Sequence, residues 1–305
     1  EHDRSYVRLE LTVKPVVPKM VQNVSAFPIY KESVQKLYMP LYWGVSNFGW
    51  PSDVRIPSGD DISLVFAGSM REYQESIVKK YMCHIESNAR EGRFYGGGLF
   101  DVMTGSGKTV MALNVISRMR KKALIIVHKS FLLNQWLERI GQFLPDARIG
   151  RIQGEVVDIE GKDIVIGMLQ SLSMKDYDED LFSSFGLTIV DECHHIGAEV
   201  FVRSLFKIVT KYVLGLSATM NRKDGLTRVF KMFLGEVLYK EKRDGTDRVL
   251  VKAITFKSND EEFNEIKYDY RGNPQYSTMI SKLCSFNPRT EFILKVVKDI
   301  YEENT

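Results

Sequence analysis

"DVMTGSGKTV", residues 101–110, decides the fold of this chain. The run before it, "YGGGLF", reads as a short buried strand, and "MALNVISRMRKK" after it has helical spacing. A strand that turns through Gly105-Ser106-Gly107 into a helix is suited to hold a phosphate. The glycines let backbone N–H groups face an anion, and the helix N-terminus adds a partial positive charge. In a G-K-T loop of this kind, Lys108 reaches the terminal phosphates and the Thr109 hydroxyl ligates Mg²⁺. The broad pattern of such loops has a glycine where this sequence has Val102, but "TGSGKT" itself is intact.

Working outward, strands and helices alternate. "ALIIVH" (123–128) reads as a strand and "SFLLNQWLERIGQFL" (130–144) as a helix. "ARIGRIQG", "DIVIGMLQSL", "LTIVDE" and "YVLGLSAT" each contain or end in a strand. Short continuous apolar strands separated by helices predict an α/β fold with a parallel sheet covered on both faces. Ligands of open α/β sheets bind at the carboxyl ends of the strands. "LTIVDE" delivers Asp191 and Glu192 to that edge, 82 residues after Thr109. Asp191 would organise Mg²⁺, and Glu192 would polarise an attacking water as general base.

The surrounding "TIVDECHHIG" (188–197) also offers five adjacent metal-ligating side chains. Zinc is not the expected reading. No C-x-x-C or H-E-x-x-H spacing exists, and adjacent strand residues point to opposite faces. Cys193 reads as a small spacer side chain.

The remainder of the chain sets limits. Its 305 residues suggest two domains, with room for part of a third, at roughly 100–200 residues per domain. Apolar residues at 44% and charged residues at 27% are ordinary for a globular protein. No run approaches the roughly 18 apolar residues of a membrane span, and the charged start "EHDRSYVRLE" has no secretory core. Three cysteines without paired spacing fit an intracellular, reducing compartment. The net charge of +3 neither demands nor excludes a nucleic-acid partner, so any phosphate-binding surface must come from local arrangement.

Near the start, "YVRLELTVKPVV" alternates like a strand. The aromatic, turn-rich "FPIYKESVQKLYMPLYWGVSNFGWPSD" predicts a compact accessory domain, or a platform for bases or a partner. "MREYQESIVKKYMCHIESNARE" predicts a helix, with Tyr73, Ile77, Tyr81 and Ile85 at four-residue steps. After residue 240 come a polar linker "EKRDGTDR", a predicted strand "VLVKAITFK" and a predicted helix "RTEFILKVVKDIYEEN". The sequence stops just as another α/β unit begins.

In order, the chain carries "REYQ" (71–74), "MTGSGKT" (103–109), "LIIVHKSFLLNQW" (124–136), "IVIGMLQSL" (164–172), "VDECHH" (190–195) and "GLSATMNRKDG" (215–225). This ordered set resembles the first motor domain of superfamily 2 helicases of the D-E-x-H group. It is similar to XPB-type and UvsW-type DNA helicases. "VHKSFLLNQW", "DECHH" and "GLSATMNRKDGLTRVFKMFLG" resemble helicases of large DNA viruses, including the poxvirus transcript-release helicases.

The resemblance implies a RecA-like parallel sheet flanked by helices over residues 69–240. A small N-terminal α+β accessory domain would occupy 1–68, and a linker and the start of a truncated second motor domain 241–305. ATP and Mg²⁺ are the implied cofactors. The nucleotide would be held by Thr104, Gly105, Ser106, Gly107, Lys108 and Thr109, and its adenine read by Gln74 with Arg71 and Tyr73 nearby. His194 and the Ser217-Ala218-Thr219 stretch would couple nucleotide state to domain movement. Lys129, Ser130, Gln170 and Ser171 would meet nucleic-acid phosphates, positioning the strand without reading its sequence. DNA is the favoured track over RNA. Arg222, Lys223 and Asp224 would lie near the interdomain cleft.

In related sequences "HKS" more often reads Pro-Thr followed by Arg, Lys or Glu, so His128 departs from the pattern. Residues 1–68 would meet transcription, replication or repair proteins. The setting would be a host nucleus or cytoplasm, or a virion.

Two other classes share the phosphate loop or its fold. One is a non-catalytic nucleic-acid- or protein-binding module on an inactive motor fold; intact Lys108, Thr109, Asp191 and Glu192 oppose it. The other is a different P-loop ATPase or kinase, which would need none of the ordered later motifs. No Q-x-x-G-R-x-x-R motif occurs, so the arginine fingers of a second motor domain are missing, and these are worth about 10³–10⁵ in rate. The chain is therefore expected to be the N-terminal part of a longer helicase, binding nucleotide but hydrolysing it slowly.

Overall fold

The fold is seen in a computed structural model. It describes residues 2–16, 25–93, 95–178, 180–193, 198–218, 225–241, 253–270 and 272–303. These form two compact units, Glu1–Lys242 and Arg243–Thr305.

The first unit is built on an eight-stranded sheet. Its strands are β1 (Gly96–Asp101), β2 (Ala123–Val127), β3 (Ile149–Gln153), β4 (Val156–Asp158), β5 (Ile164–Met168), β6 (Leu187–Val190), β7 (Tyr212–Ser217) and β8 (Val237–Lys240). In space the order is β8-β1-β7-β6-β2-β5-β3-β4. All neighbours are parallel except the β3–β4 pair. The parallel α/β sheet expected from the alternating pattern, and its RecA-like form implied by the resemblance, are therefore present.

Helices cover both faces: α1 (Glu72–Arg90), α2 (Lys108–Met119), α3 (Ser130–Phe143), α4 (Leu169–Met174), α5 (Ala198–Leu205) and α6 (Thr227–Leu234). Strand side chains alternate between the two faces. Phe100, Ile125, Ile166, Ile189, Leu214 and Leu216 enter one apolar cluster with α1, α2 and α3. Leu99, Leu124, Ile126, Val165 and Val190 enter another with α4, α5 and α6. This double burial explains why the strands read as unbroken apolar runs.

On α1, Ile77, Tyr81 and Ile85 are buried along one stripe, as their spacing predicts, while Tyr73 at the head of the stripe is exposed. The helix starts where the Arg71 N–H donates to Gln74 Oε1 at 2.9 Å, and Gly92, with φ 72°, lies just past its end.

The N-terminal region departs from its alternating pattern. His2–Glu10 is a helix, and only Thr12–Val13 forms a strand, paired with Phe27–Pro28. A strand would have put Val7, Leu9 and Leu11 on one face. Instead Val7 and Leu11 are fully buried at a helical step of four, and Leu9 is 76% exposed. Val7, Leu11, Val13, Ile29 and Trp43 join the α5–α6 cluster, so this region shares the core of the sheet.

In the second unit, Glu261–Asn264, Tyr276–Ser285 and Asn287–Glu303 are helical. Phe256, Phe263, Phe286 and Phe292 pack ring against ring. The predicted strand at 249–257 does not form over its described residues, 253–257. A lone extended segment needs a neighbour to pair with, and no strand is described in this unit.

At the sheet's far side, Asp163 anchors the entry to β5. Its carboxylate accepts from the Arg148 backbone N–H at 2.9 Å and from the guanidinium at 2.9 and 2.6 Å. The Arg148 hydrogen bonds hold the Asp163 carboxyl below the usual carboxylate range despite burial. Asp163→Asn is expected to lower stability by about 1–3 kcal/mol in denaturant unfolding at neutral pH. A depressed carboxylate stabilises above its unfolded pKa, and that contribution is lost as pH falls through the folded pKa. The variant's deficit should therefore shrink below about pH 4. An equal deficit at every pH would contradict this assignment.

Candidate nucleotide site and nucleic-acid edge

The loop from Val102 to Gly107 leaves the carboxyl end of β1 and enters α2. Gly105 and Gly107 have φ of 89° and 82°, the left-handed region that glycine enters without strain. No side chain caps α2, so its first N–H groups are left for a ligand. A Cβ at Gly107 would collide with Gln74 Nε2.

That contact belongs to a wider brace. Gln74 Nε2 donates to the Ser106 carbonyl at 2.9 Å, and Tyr73 Oη donates to the same oxygen at 2.9 Å. The other end of the Gln74 amide caps α1. Gln74 thus spans from its own helix start to the loop, and both ends of its amide are engaged. Its oxygen keeps a second lone pair and its nitrogen a second N–H, the groups with which an amide can read adenine.

Lys108 is buried. Its Nζ donates to the Val102 carbonyl at 3.3 Å and lies 3.5 Å from Glu192 Oε1. Asp191 and Glu192 follow β6, two strands from β1 in the sheet. Asp191 is 5% exposed, and its Oδ2 accepts from the indole N–H of Trp136 at 2.8 Å. Burial pushes the Asp191 carboxyl up to about 6; the Trp136 bond and Lys108 pull it down, and Glu192 pushes it further up. Glu192 has φ 47°, a left-handed conformation that costs a non-glycine residue about 1–3 kcal/mol. Strain of this kind clusters at functional sites.

Arg71, Gln74, Thr104, Gly105, Gly107, Lys108, Thr109, Asp191 and Glu192 all line one cavity of about 620 Å³. Glycine-freed N–H groups, a buried ammonium, a hydroxyl and two carboxylates are the donor set that a nucleoside triphosphate with Mg²⁺ requires. The residues fit that group.

The predicted nucleic-acid contacts sit on neighbouring strand ends. Lys129 and Ser130 follow β2, and Gln170 and Ser171 follow β5, its parallel partner. Gln170 Nε2 donates to the His128 carbonyl at 3.2 Å, and Ser171 Oγ accepts from the Gly154 N–H at 2.9 Å. Gln170 is thus tied to the end of β2 and Ser171 to the β3–β4 turn, while Lys129 also lines the cavity. Ser217 ends β7 beside the loop, where its carbonyl accepts from the Val102 N–H at 2.9 Å. His194, Thr219, Arg222, Lys223 and Asp224 lie outside the described residues.

Residues 67–222 match the family described as type III restriction enzyme, res subunit. The chain belongs to this family.

Its relatives are viral proteins with provisional helicase names. ATP-dependent RNA helicase L396 of Acanthamoeba polyphaga mimivirus is 30% identical over 308 residues, covering 97% of this chain and 57% of that protein. Helicase 161L of Invertebrate iridescent virus 6 is 29% identical, covering 78% and 52%. ATP-dependent RNA helicase QP509L of African swine fever virus is 26% identical, covering 76% and 45%. The chain spans about half the length of these relatives. Among solved structures, the UvsW helicase of bacteriophage T4 shares the fold, with a TM-score of 0.54 at 17% identity over 79% of this chain and 94% of that one. The sheet thus has the fold of that helicase.

Trp136 and Glu241 are neighbours of the acidic pair and of the glycine loop that sequence reading did not single out. Trp136 carried a signal, since a buried indole N–H needs an acceptor. Glu241 carried none. Gly107→Ala combines left-handed strain with the Gln74 collision. It is expected to weaken binding of a fluorescent ATP analogue by about 10-fold or more in an anisotropy titration. Unchanged affinity would contradict the loop's assignment.

Proposed function

We propose that this chain is the ATP-binding half of a nucleic-acid motor, a helicase or translocase whose favoured track is DNA. The observation that carries the reading is the convergence of Lys108, Thr109, Asp191, Glu192 and the α2 N-terminus on one cavity, with the Lys129–Ser171 edge on adjacent strand ends. A kinase or other P-loop ATPase would have no use for that second edge.

In this reading the loop N–H groups and Lys108 bind the phosphates. Thr109 and Asp191 would hold Mg²⁺, whose chemistry there would be neutralisation of phosphate charge. Trp136 fixes which Asp191 oxygen is turned inward. Lys108 now rests against Glu192. A bound phosphate would draw the ammonium toward itself and leave Glu192 to orient water and accept its proton. Lys129, Ser130, Gln170 and Ser171 would grip the backbone of the track.

Residues 243–305 would begin the second motor domain. The chain spans about half the length of the relatives, and Leu294, Val297 and Tyr301 on the last helix are exposed apolar residues suited to further packing. Residues 1–68 would serve as an accessory domain that meets nucleic acid or partner proteins. The RNA-helicase names of two relatives favour a second reading, an RNA track.

Hydrolysis by a chain extended through its second motor domain is expected to rise on adding nucleic acid, most with DNA. Lys108→Ala should abolish it. Residues 1–305 alone should turn over at least about 10³-fold more slowly, for want of arginine fingers. Stimulation by RNA alone would move the track to RNA. Turnover surviving Lys108→Ala would overturn the site.

A further inference from the structure

We propose that Glu241 is a positioning residue for the phosphate loop, fastening it to the strand that leads toward residues 243–305. The inference rests on reading residues 103–109 as part of a nucleotide site.

Glu241 directly follows β8. Its backbone N–H donates to the Asp101 carbonyl at 2.8 Å, carrying the β8–β1 pairing to the point where β1 becomes the loop. That register brings the side chain over the first turn of the loop. Glu241 Oε2 accepts from the Met103 N–H at 2.6 Å and lies 3.4 Å from the Ser106 hydroxyl. Ser106 is therefore held from two sides. Its hydroxyl faces Glu241, and its carbonyl accepts from Tyr73 and Gln74 of α1. The loop is clamped between the start of α1 and the end of β8, and the Met103–Glu241 bond spans 138 residues of sequence.

A carboxylate is an unexpected neighbour for a loop that receives phosphates, because its charge opposes theirs. Its acceptor geometry supplies the compensation. A charge-assisted bond to a backbone N–H is shorter and stronger than a neutral one. It falls on Met103, ahead of the Gly105–Thr109 N–H groups, so it can fix the loop without occupying the cradle. Bracing and repulsion make opposite demands, and two substitutions separate them. Glu241→Gln keeps an oxygen acceptor and removes the charge. Glu241→Ala removes both.

The test is the affinity of residues 1–305 for a fluorescent ATP analogue with Mg²⁺, alongside thermal melting without nucleotide. Glu241→Ala is expected to bind about 5- to 10-fold more weakly. Glu241→Gln should bind at least as tightly as the unsubstituted chain, and the three melting temperatures should agree within about 2 °C. Equal affinity for Glu241→Ala and the unsubstituted chain would overturn the proposal, as would tighter binding by Glu241→Ala. Glutamine failing like alanine, or a lowered melting temperature that accounts for the loss, would also overturn it. Each of these outcomes leaves the nucleotide reading standing. Lys108→Ala separates the two claims: if the unsubstituted chain does not bind, or Lys108→Ala binds equally well, the nucleotide reading falls and this proposal with it.

Discussion

A parallel sheet has to bury both faces under helices, and this places the carboxyl ends of its parallel strands along one edge. The candidate residues of this chain hang from that edge. Read across β8-β1-β7-β6-β2-β5, they are Glu241, the phosphate loop, Ser217, the Asp191–Glu192 pair, Lys129 with Ser130, and Gln170 with Ser171. Six consecutive strand ends thus carry a candidate nucleotide cavity, which Lys129 also lines, and beside it the polar residues Ser130, Gln170 and Ser171. The two lie close because their strands pair, whatever their distance in sequence.

Within that frame, electrostatic tension is concentrated at β6. Asp191 is buried beside Glu192, which raises its carboxyl, and Lys108 and the Trp136 indole offset this. Glu192 sits in a left-handed conformation at the same point. An arrangement with two carboxylates, one ammonium and a strained backbone is poorly explained as a device for stability. It suits a site that awaits a polyphosphate and a cation.

Much of this was legible in the sequence. Runs such as "ALIIV" and "LTIV" are apolar throughout because both faces are buried, and "GSGKT" lies where a strand meets a helix. Other features were not legible, for physical reasons. Val7, Leu9 and Leu11 fit a strand's period by position, but only tertiary packing shows that Leu9 faces outward. The stretch 253–257 has strand-like residues and no strand to pair with. Trp136 meets Asp191 across 55 residues and Glu241 meets Met103 across 138, so neither contact leaves a local pattern. Gln74 was legible as an adenine reader by resemblance, yet only the fold shows it also braces the loop.

Residues 103–109 and the Asp191–Glu192 pair should behave as one nucleotide site, and hydrogen exchange reads this out at each of them. On adding ATP with Mg²⁺ to residues 1–305, the amides of Gly105–Thr109 are expected to slow by about 10-fold or more, with Asp191 and Glu192 protected in parallel. Magnesium removal should erase much of that effect. Protection confined to another part of the chain, or none at saturating nucleotide, would contradict the account.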